Sequence, residues 1–288
     1  MHRAHNMKYT LFIFLLIPLF ASAQIDTILS SNIQRTYKIQ LPDNYDLKKR
    51  YPLLLVFHGY HYENLGMPEY TGFDKFTNKH CIVAYPHGLK EENGINYFWN
   101  SGGGLSVNYE GVDDVKIIDN LIDTLTRNYS VYTDSVFITG HSNGGMMVYR
   151  LALELSHKIT AMANVSGSMM FDSIVPEYPL PVLHIHGTSD PIVPTAGYSG
   201  PIWPSMNVDS VLYQWAAWNH CNPKPDTIAN TATYLYVQWT DKTGKKMVMG
   251  SFIKNQGHDW AAITNSGWNV AENIWYFFTR REFNNFPE

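Results

Sequence analysis

The sequence predicts an α/β fold, a mostly parallel central sheet covered by helices on both faces. Three observations carry that expectation. Short, nearly continuous apolar runs recur at residues 51–57, 81–85, 136–138, 159–165 and 180–185. Strands covered on both faces read this way, because neither face meets water. Between the runs lie segments with helical spacing of apolar residues, and strands alternating with helices are the pattern of a parallel sheet. Most of the runs also end in short loops carrying glycine with histidine, serine or aspartate, as in Phe57-His58-Gly59 and His186-Gly187-Thr188-Ser189-Asp190. Ligands of such sheets bind beyond the carboxyl ends of the strands.

The first 23 residues are expected to lie outside the fold. Met7-Lys8-Tyr9 is a short basic n-region, residues 11–20 are an apolar h-region, and Ala21-Ser22-Ala23 is a small-residue cleavage site. The apolar run is shorter than the roughly 20 residues of a membrane span. Residues 1–23 therefore read as a signal peptide that is removed. Residues 24–288 read as one secreted domain, extracellular or periplasmic, without stable membrane insertion.

Residues 35–41 alternate and predict an early strand, ended by Pro42-Asp43-Asn44. Residues 51–57 and 81–85 predict two buried strands. A polar, glycine-rich loop, residues 91–110, follows and contains Tyr97-Phe98-Trp99-Asn100. Val115, Ile118, Leu121, Ile122 and Leu125 predict a helix over residues 112–129, with Asp113 and Asp114 in its first turn, where acids suit the helix dipole. The run 136–138 then passes straight into a helical pattern, residues 146–155. Strands are expected over 159–165 and 180–185, a helix over 208–218, strands over 234–239 and 247–253, and a closing helix over 270–279. No repeat, low-complexity tract or proline/serine linker divides the chain, so no accessory binding module is expected.

Composition excludes some classes. The formal charge is −4, with no basic stripe, so nucleic acid is not an expected partner. No set of histidines, cysteines and carboxylates has metal-ligand spacing, so neither a metal nor another cofactor is expected. Cys81 and Cys221 are the two cysteines. Export permits a disulfide between them, but Cys81 opens an apolar run as a buried thiol would, and the pairing stays open. Nothing in the sequence sets an oligomeric state.

The chemistry concentrates at Gly140-His141-Ser142-Asn143-Gly144-Gly145. A serine between strand and helix, flanked by glycines, matches a nucleophile elbow, whose tight turn leaves no room for neighbouring Cβ atoms. A serine hydroxyl needs a base, and the base needs an orienting group. In the chain order Ser, acid, His that goes with such an elbow, Asp190 ends a strand and His258 follows a later one. Ser142, Asp190 and His258 are thus the candidate catalytic residues. His58, His184 and His186, at or within strands, read as structural hydrogen-bonding groups; His141 is the fourth competing histidine. Asp259, Asp113 and Asp114 are poorer candidates for the orienting acid. Two N–H donors are expected to hold the oxyanion, that of Asn143 after the nucleophile and that of Tyr60 in the loop after the 51–57 strand. Tyr60, Trp99, Met169 and Trp260 are the candidates for lining a substrate pocket.

With these residues placed, the chain resembles the secreted esterases of the polyhydroxybutyrate depolymerase and feruloyl esterase group of the α/β-hydrolase superfamily. The matching stretches are Phe57-His58-Gly59, Tyr85-Pro86-His87-Gly88, Trp99-Asn100, Gly111-Val112-Asp113-Asp114-Val115, Gly140-His141-Ser142-Asn143-Gly144-Gly145-Met146, His184-Ile185-His186-Gly187-Thr188-Ser189-Asp190 and Gly257-His258-Asp259-Trp260. The resemblance implies a serine carboxylesterase whose nucleophile, acid and base are Ser142, Asp190 and His258. The implied substrates are small or oligomeric esters: hydroxycinnamoyl esters, acetylated sugars or short polyester oligomers. Many relatives carry cysteines where this chain has Tyr60 and Gly102-Gly103-Gly104, so no family disulfide pattern is carried over. The chain has no linker and substrate-binding domain of the kind that attacks solid polyester, which makes a polyester depolymerase the weaker reading. A peptidase, an acyltransferase and a non-catalytic binding protein on a hydrolase scaffold are the other rivals.

Overall fold

The structure is a computed structural model that describes residues 24–30, 33–61, 66–75, 81–91, 94, 96–102, 112–171, 173–200, 204–260 and 268–282. The expected signal peptide, residues 1–23, lies outside them. So do Gly103, Gly104 and the rest of residues 103–111.

The buried apolar runs form the middle of one ten-stranded sheet. In chain order its strands are β1 (Gln24–Ser30), β2 (Ile33–Gln40), β3 (Tyr51–Phe57), β4 (Ile82–Pro86), β7 (Val131–His141), β8 (Ala161–Val165), β9 (Val182–Gly187), β10 (Asp226–Asn230), β11 (Tyr234–Thr240) and β12 (Lys246–Ile253). A separate two-stranded hairpin joins β5 (Leu89–Lys90) to β6 (Tyr97–Phe98). The spatial order is β1-β2-β4-β3-β7-β8-β9-β12-β11-β10. The six strands from β4 to β12 run parallel, and two antiparallel strands flank them on each side. The expected fold class holds.

Alternation along the strands divides the core. Leu53, Leu55 and Phe57 of β3 face one cluster, with helices α2 (Asp114–Asn128), α3 (Asn143–Glu154) and α4 (Val208–Trp218). Leu54 and Val56 face the other, with α1 (Met67–Thr71) and α5 (Val270–Arg280). Cys81 packs in the second cluster and Cys221 against the first. Both are free thiols. The open question of a disulfide is answered by the sheet standing between them.

Three helices start on a side-chain cap that accepts a backbone N–H, the usual remedy for the unpaired first turn. They are α2 on Asp113, α4 on Asn207 and α5 on Asn269. Helix α3 differs. Its N-cap is Ser142, whose hydroxyl makes no capping bond, so the hydroxyl and the first N–H groups of the helix are not spent on each other.

Several boundaries differ from expectation. β1 and β10 have no clean alternation and owe their existence to pairing at the sheet edges. β7 begins at Val131, ahead of its apolar run, because a register shift lets Tyr51 pair with Val131 and Leu53 with Val136. The loop expected over 91–110 contributes Tyr97–Phe98 to the small hairpin.

The start of α2 is fastened by a buried ion pair. Asp114 Oδ1 lies 3.3 Å from Arg35 Nη2, with both side chains almost wholly buried, and its Oδ2 accepts the Asn100 N–H at 2.8 Å. Burial pushes the Asp114 carboxyl up, against the pull of Arg35 and of the Asn100 N–H. Removing one partner strands the other charge in the core, so Arg35→Met is expected to cost about 3–5 kcal/mol. Urea denaturation with linear extrapolation checks this. A loss within error of zero contradicts it.

Candidate active site

The elbow is built from close backbone contact. A Cβ at Gly144 would sit 2.4 Å from the carbonyl oxygens of Phe57 and His58, and one at Gly140 would sit 2.5 Å from the Gly144 carbonyl. Ser142 between them has φ 55° and ψ −120°. A side-chain-bearing residue held there stores about 1–3 kcal/mol of strain and persists only when its surroundings impose it. They do: Ser142 N–H donates to Val165 O of the next strand at 2.9 Å, and Ser142 O accepts from Met146 N at 2.9 Å.

Asp190 sits in the turn after β9, and its side chain is fully buried. Oδ1 accepts the N–H groups of Ile192 and Val193, both at 2.8 Å. Oδ2 lies 2.7 Å from His258 Nδ1 and 3.2 Å from His186 Nε2. Burial alone would raise this carboxyl. The hydrogen bonds from His186 and His258, the charge of His258 and the Val193 N–H outweigh burial and hold it well below the usual carboxylate range. With Nδ1 engaged, Nε2 is the ring nitrogen of His258 left for the cavity it shares with Ser142.

That cavity, about 400 Å³, is also lined by Tyr60, His61, Tyr70, His141, Ile192 and Asp259. A smaller one of about 90 Å³ adjoins it, lined by Tyr60, Ser142, Asn143, Met146, Ile192 and Val193. Tyr60 and Asn143, the two expected oxyanion donors, thus meet Ser142 at the same small chamber. The Tyr60 hydroxyl is turned to Glu91, donating to Oε1 at 2.7 Å. Asn143 uses its side chain as a brace: Oδ1 accepts Trp99 N–H at 2.7 Å, and Nδ2 donates to Trp99 O and Ser101 Oγ, both at 3.1 Å.

Three expected lining residues are corrected. Trp99 is fully buried in the core, with its indole N–H donating to His58 O at 3.0 Å. Met169 is fully buried in the same cluster, and Trp260 packs in the other, edge-on to Phe73. Each adjoins a loop near a strand end, which suggested exposure, but large apolar side chains there complete the core beneath the site. Among the described residues Tyr60 is the expected lining residue that does line the cavities.

The four competing histidines hold the scaffold. His58 donates from Nδ1 to Gly59 O at 2.7 Å and accepts Gly88 N–H on Nε2 at 2.8 Å. His141 Nε2–H donates to the backbone oxygen of His258 at 2.7 Å, tying the His258 loop to the residue before Ser142. His61, Tyr70, Ile192, Val193 and Met146 were not anticipated. The last three follow directly from their neighbours Asp190 and Ser142, whereas Tyr70 comes from α1 and had no signal. Its hydroxyl donates to Asp259 Oδ1 at 3.2 Å, which accounts for that acid. Among the described residues no group of histidines, cysteines and acids is placed to hold a metal ion, and no helix is long and apolar enough to cross a membrane.

The arrangement is that of an α/β-hydrolase, and comparison with known proteins agrees. Residues 46–199, over half of the chain, match the family described as Phospholipase/Carboxylesterase. The chain belongs to this family. It is 27% identical over 198 residues to a bifunctional acetylxylan esterase/xylanase of Neocallimastix patriciarum, covering 68% of this chain and 26% of that one. It is 28% identical over 191 residues to feruloyl esterase D of Neurospora crassa, covering 62% and 61%, and 25% identical over 256 residues to a probable feruloyl esterase C of Aspergillus niger, covering 85% and 83%. The matches thus span about a quarter of the first relative and under two thirds of the second. Among solved structures, an acetyl xylan esterase from Aspergillus awamori aligns with a TM-score of 0.65 at 16% identity, covering 89% of this chain and all of that one. A ferulic acid esterase from Anaeromyces mucronatus in complex with ferulic acid gives 0.56 at 18%, covering 87% and 89%. These last two likenesses concern the fold.

Burial around the site has a consequence in acid. An unfolded histidine titrates near about 6.5. In the fold, burial drives His58 down to about 3, and it drives His87 and His141 down to about 4. Below pH 6.5 the unfolded chain binds more protons, so folding loses free energy as pH falls. The contribution of these rings is complete above about pH 6.5 and disappears as pH drops through their folded values. The Tm, followed by circular dichroism, is therefore expected to decline continuously from pH 7 to pH 5. A constant Tm over that interval contradicts the buried neutral rings.

Proposed function

We propose that this chain is a secreted serine carboxylesterase working through an acyl-enzyme. The observation that carries the reading is the 2.7 Å bond from His258 Nδ1 to Asp190 Oδ2, beside a serine held at φ 55° on the same cavity. His258 takes the Ser142 proton as the hydroxyl attacks the ester carbonyl. Asp190 holds the imidazole and stabilises the imidazolium. The N–H groups of Asn143 and Tyr60 bind the oxyanion, the former at the uncapped start of α3, where the helix dipole favours negative charge. His258 then returns the proton to the leaving alcohol and activates the water that releases the acid. Export rests on the n-region, h-region and cleavage site of residues 1–23.

The two cavities divide the ester. The chamber of about 90 Å³ is far below the roughly 300–1,000 Å³ of pockets that enclose drug-sized ligands, so it suits an acetyl or similarly short acyl group. The larger cavity, whose lining includes His61, Tyr70, His141 and Asp259, has room for a sugar alcohol. A hydroxycinnamoyl group has to extend into that larger space. Both substrate types occur in the names of the relatives; short polyester oligomers are the third substrate type, and a polyester depolymerase is the weaker alternative. Acetylated xylo-oligosaccharides are expected to turn over with higher kcat/KM than methyl ferulate. The reverse order contradicts the division. Labelling by a fluorophosphonate separates an enzyme from a binding protein on the same scaffold.

Two substitution sets test the machinery. Ser142→Ala is expected to lower kcat by roughly 10⁴-fold or more with the fold intact by circular dichroism; retention of a tenth of the wild-type rate rules Ser142 out. Asp190→Asn is expected to cost roughly 10⁴ in kcat, whereas Asp259→Asn and Asp113→Asn cost far less, because Asp259 serves Tyr70 and Asp113 caps α2. A silent Asp190→Asn beside a dead Asp259→Asn reassigns the acid.

A further inference from the structure

Behind Asp190 lies a row of buried polar side chains that the proposed mechanism does not use. Tyr149 Oη is 2.7 Å from His184 Nδ1, and Asn164 Nδ2 is 3.0 Å from the same nitrogen. His184 Nε2 is 2.9 Å from His186 Nδ1. His186 Nε2 is 2.8 Å from Val193 O and 3.2 Å from Asp190 Oδ2. Tyr149, His184 and His186 have essentially no exposure, so water supplies none of these bonds.

The two ends of the row fix its direction. At one end His186 Nε2 faces a carbonyl and a carboxylate, both acceptors, so it carries the proton. Its Nδ1 then accepts, and His184 Nε2–H donates to it. At the other end Asn164 Nδ2 also donates to Gly167 O at 3.0 Å, which orients the amide with its N–H groups toward His184 Nδ1. That nitrogen accepts, from Asn164 and from the Tyr149 hydroxyl. The opposite direction would set His186 Nε2, as an acceptor, against two other acceptors. Both rings are therefore neutral Nε2–H tautomers, and burial, with each ring beside the other, drives His184 well below the ordinary histidine range.

We propose that His186, locked in this tautomer by His184, Tyr149 and Asn164, is a positioning residue that holds the Asp190 oxygen to which His258 donates. The inference rests on Asp190 and His258 acting as proposed above. His186 and His258 converge on Oδ2, while the Ile192 and Val193 N–H groups take Oδ1. Four N–H donors leave the carboxylate neither freedom to rotate nor an open site for a proton. A carboxylate oxygen shared between His186 and His258 is a weaker acceptor for each, so removing His186 leaves Oδ2 wholly to His258. Among the described residues the other titratable groups facing His258 are His141, with ring centroids 5.0 Å apart, and Tyr60, His61, Tyr70 and Asp259 on the shared cavity. None of these belongs to the row, so each is unchanged when His186 is altered.

The test compares His186→Leu, which has no donor, with His186→Gln, whose amide N–H can occupy the Nε2 position. On a small aryl acetate, His186→Leu is expected to lower kcat about 10–100-fold, as loss of an outer partner does at histidine-metal sites, with KM little changed. The acidic limb of its kcat/KM profile should move to higher pH by about half a unit or more, and His186→Gln should recover most of both effects. Unchanged kcat in His186→Leu overturns the proposal. So does a loss that Gln does not rescue with the acidic limb unmoved, since a packing role would do the same. Imidazole ¹⁵N NMR of the wild-type protein gives an answer independent of how the variants fold: an Nδ1–H tautomer at His186 overturns the proposal, and Nε2–H at both rings supports it. A wild-type protein with these tautomers but no fluorophosphonate labelling would instead refute the esterase reading itself.

Discussion

The contact on which the rest of the site depends is that of the elbow glycines with the end of β3. Only a residue without a Cβ lets α3 start 2.4 Å, measured from that missing atom, from the carbonyls of Phe57 and His58. This approach turns β7 sharply into α3, puts Ser142 at a positive φ, and brings it beside the Gly59-Tyr60 turn. A Cβ at Gly59 would already lie 3.3 Å from that of Ser142. Ser142 and the strand loop expected to supply an oxyanion donor are thereby placed by one packing event. Ser142, drawn out of a capping bond by the same turn, keeps its hydroxyl for the cavity.

Around that contact the polar groups are arranged to stay in one charge state. His58 and His141 are buried and neutral, each with its N–H spent on a backbone oxygen. Asp190 is buried and ionised, because N–H donors outnumber what burial takes away. The contrast follows from the inventory of partners. A neutral imidazole needs one acceptor and one donor, which backbone supplies in full for His58, whereas a buried carboxylate needs several donors. The loop ending in Trp99-Asn100-Ser101 is treated the same way. The Asn143 side chain clamps it on one side, and Asp114 with Arg150 holds Asn100 on the other. Residues that read as a motif in the sequence are thus a brace for the loop behind Ser142.

Much of this was legible in the chain. Covered strands have to be apolar on both faces, so β3, β4, β8 and β9 announced themselves, and helices α2 to α5 showed their buried stripes, whereas the five-residue α1 did not. Ser142, Asp190 and His258 stood out because each lies at a strand end in an order that suits a hydrolase. The edge strands β1 and β10 did not, because pairing with one neighbour asks little of the sequence. Nor did the early start of β7, where exposed residues of the strand carry no apolar signal.

Local sterics and apolar patterning act between near neighbours, so the parallel sheet, the elbow and the order of its polar partners could be read from the chain alone. Which side chains face the cavity depends on contacts between distant segments. Trp99, Met169 and Trp260 lie next to the right loops yet turn into the core, and Tyr70 reaches the site from a short helix far away in the chain. The direction of the row from Tyr149 to Asp190 was likewise decided there. A histidine tautomer depends on the donors and acceptors that folding brings to its two nitrogens, and those come from β8, β9, α3 and the turn at Val193.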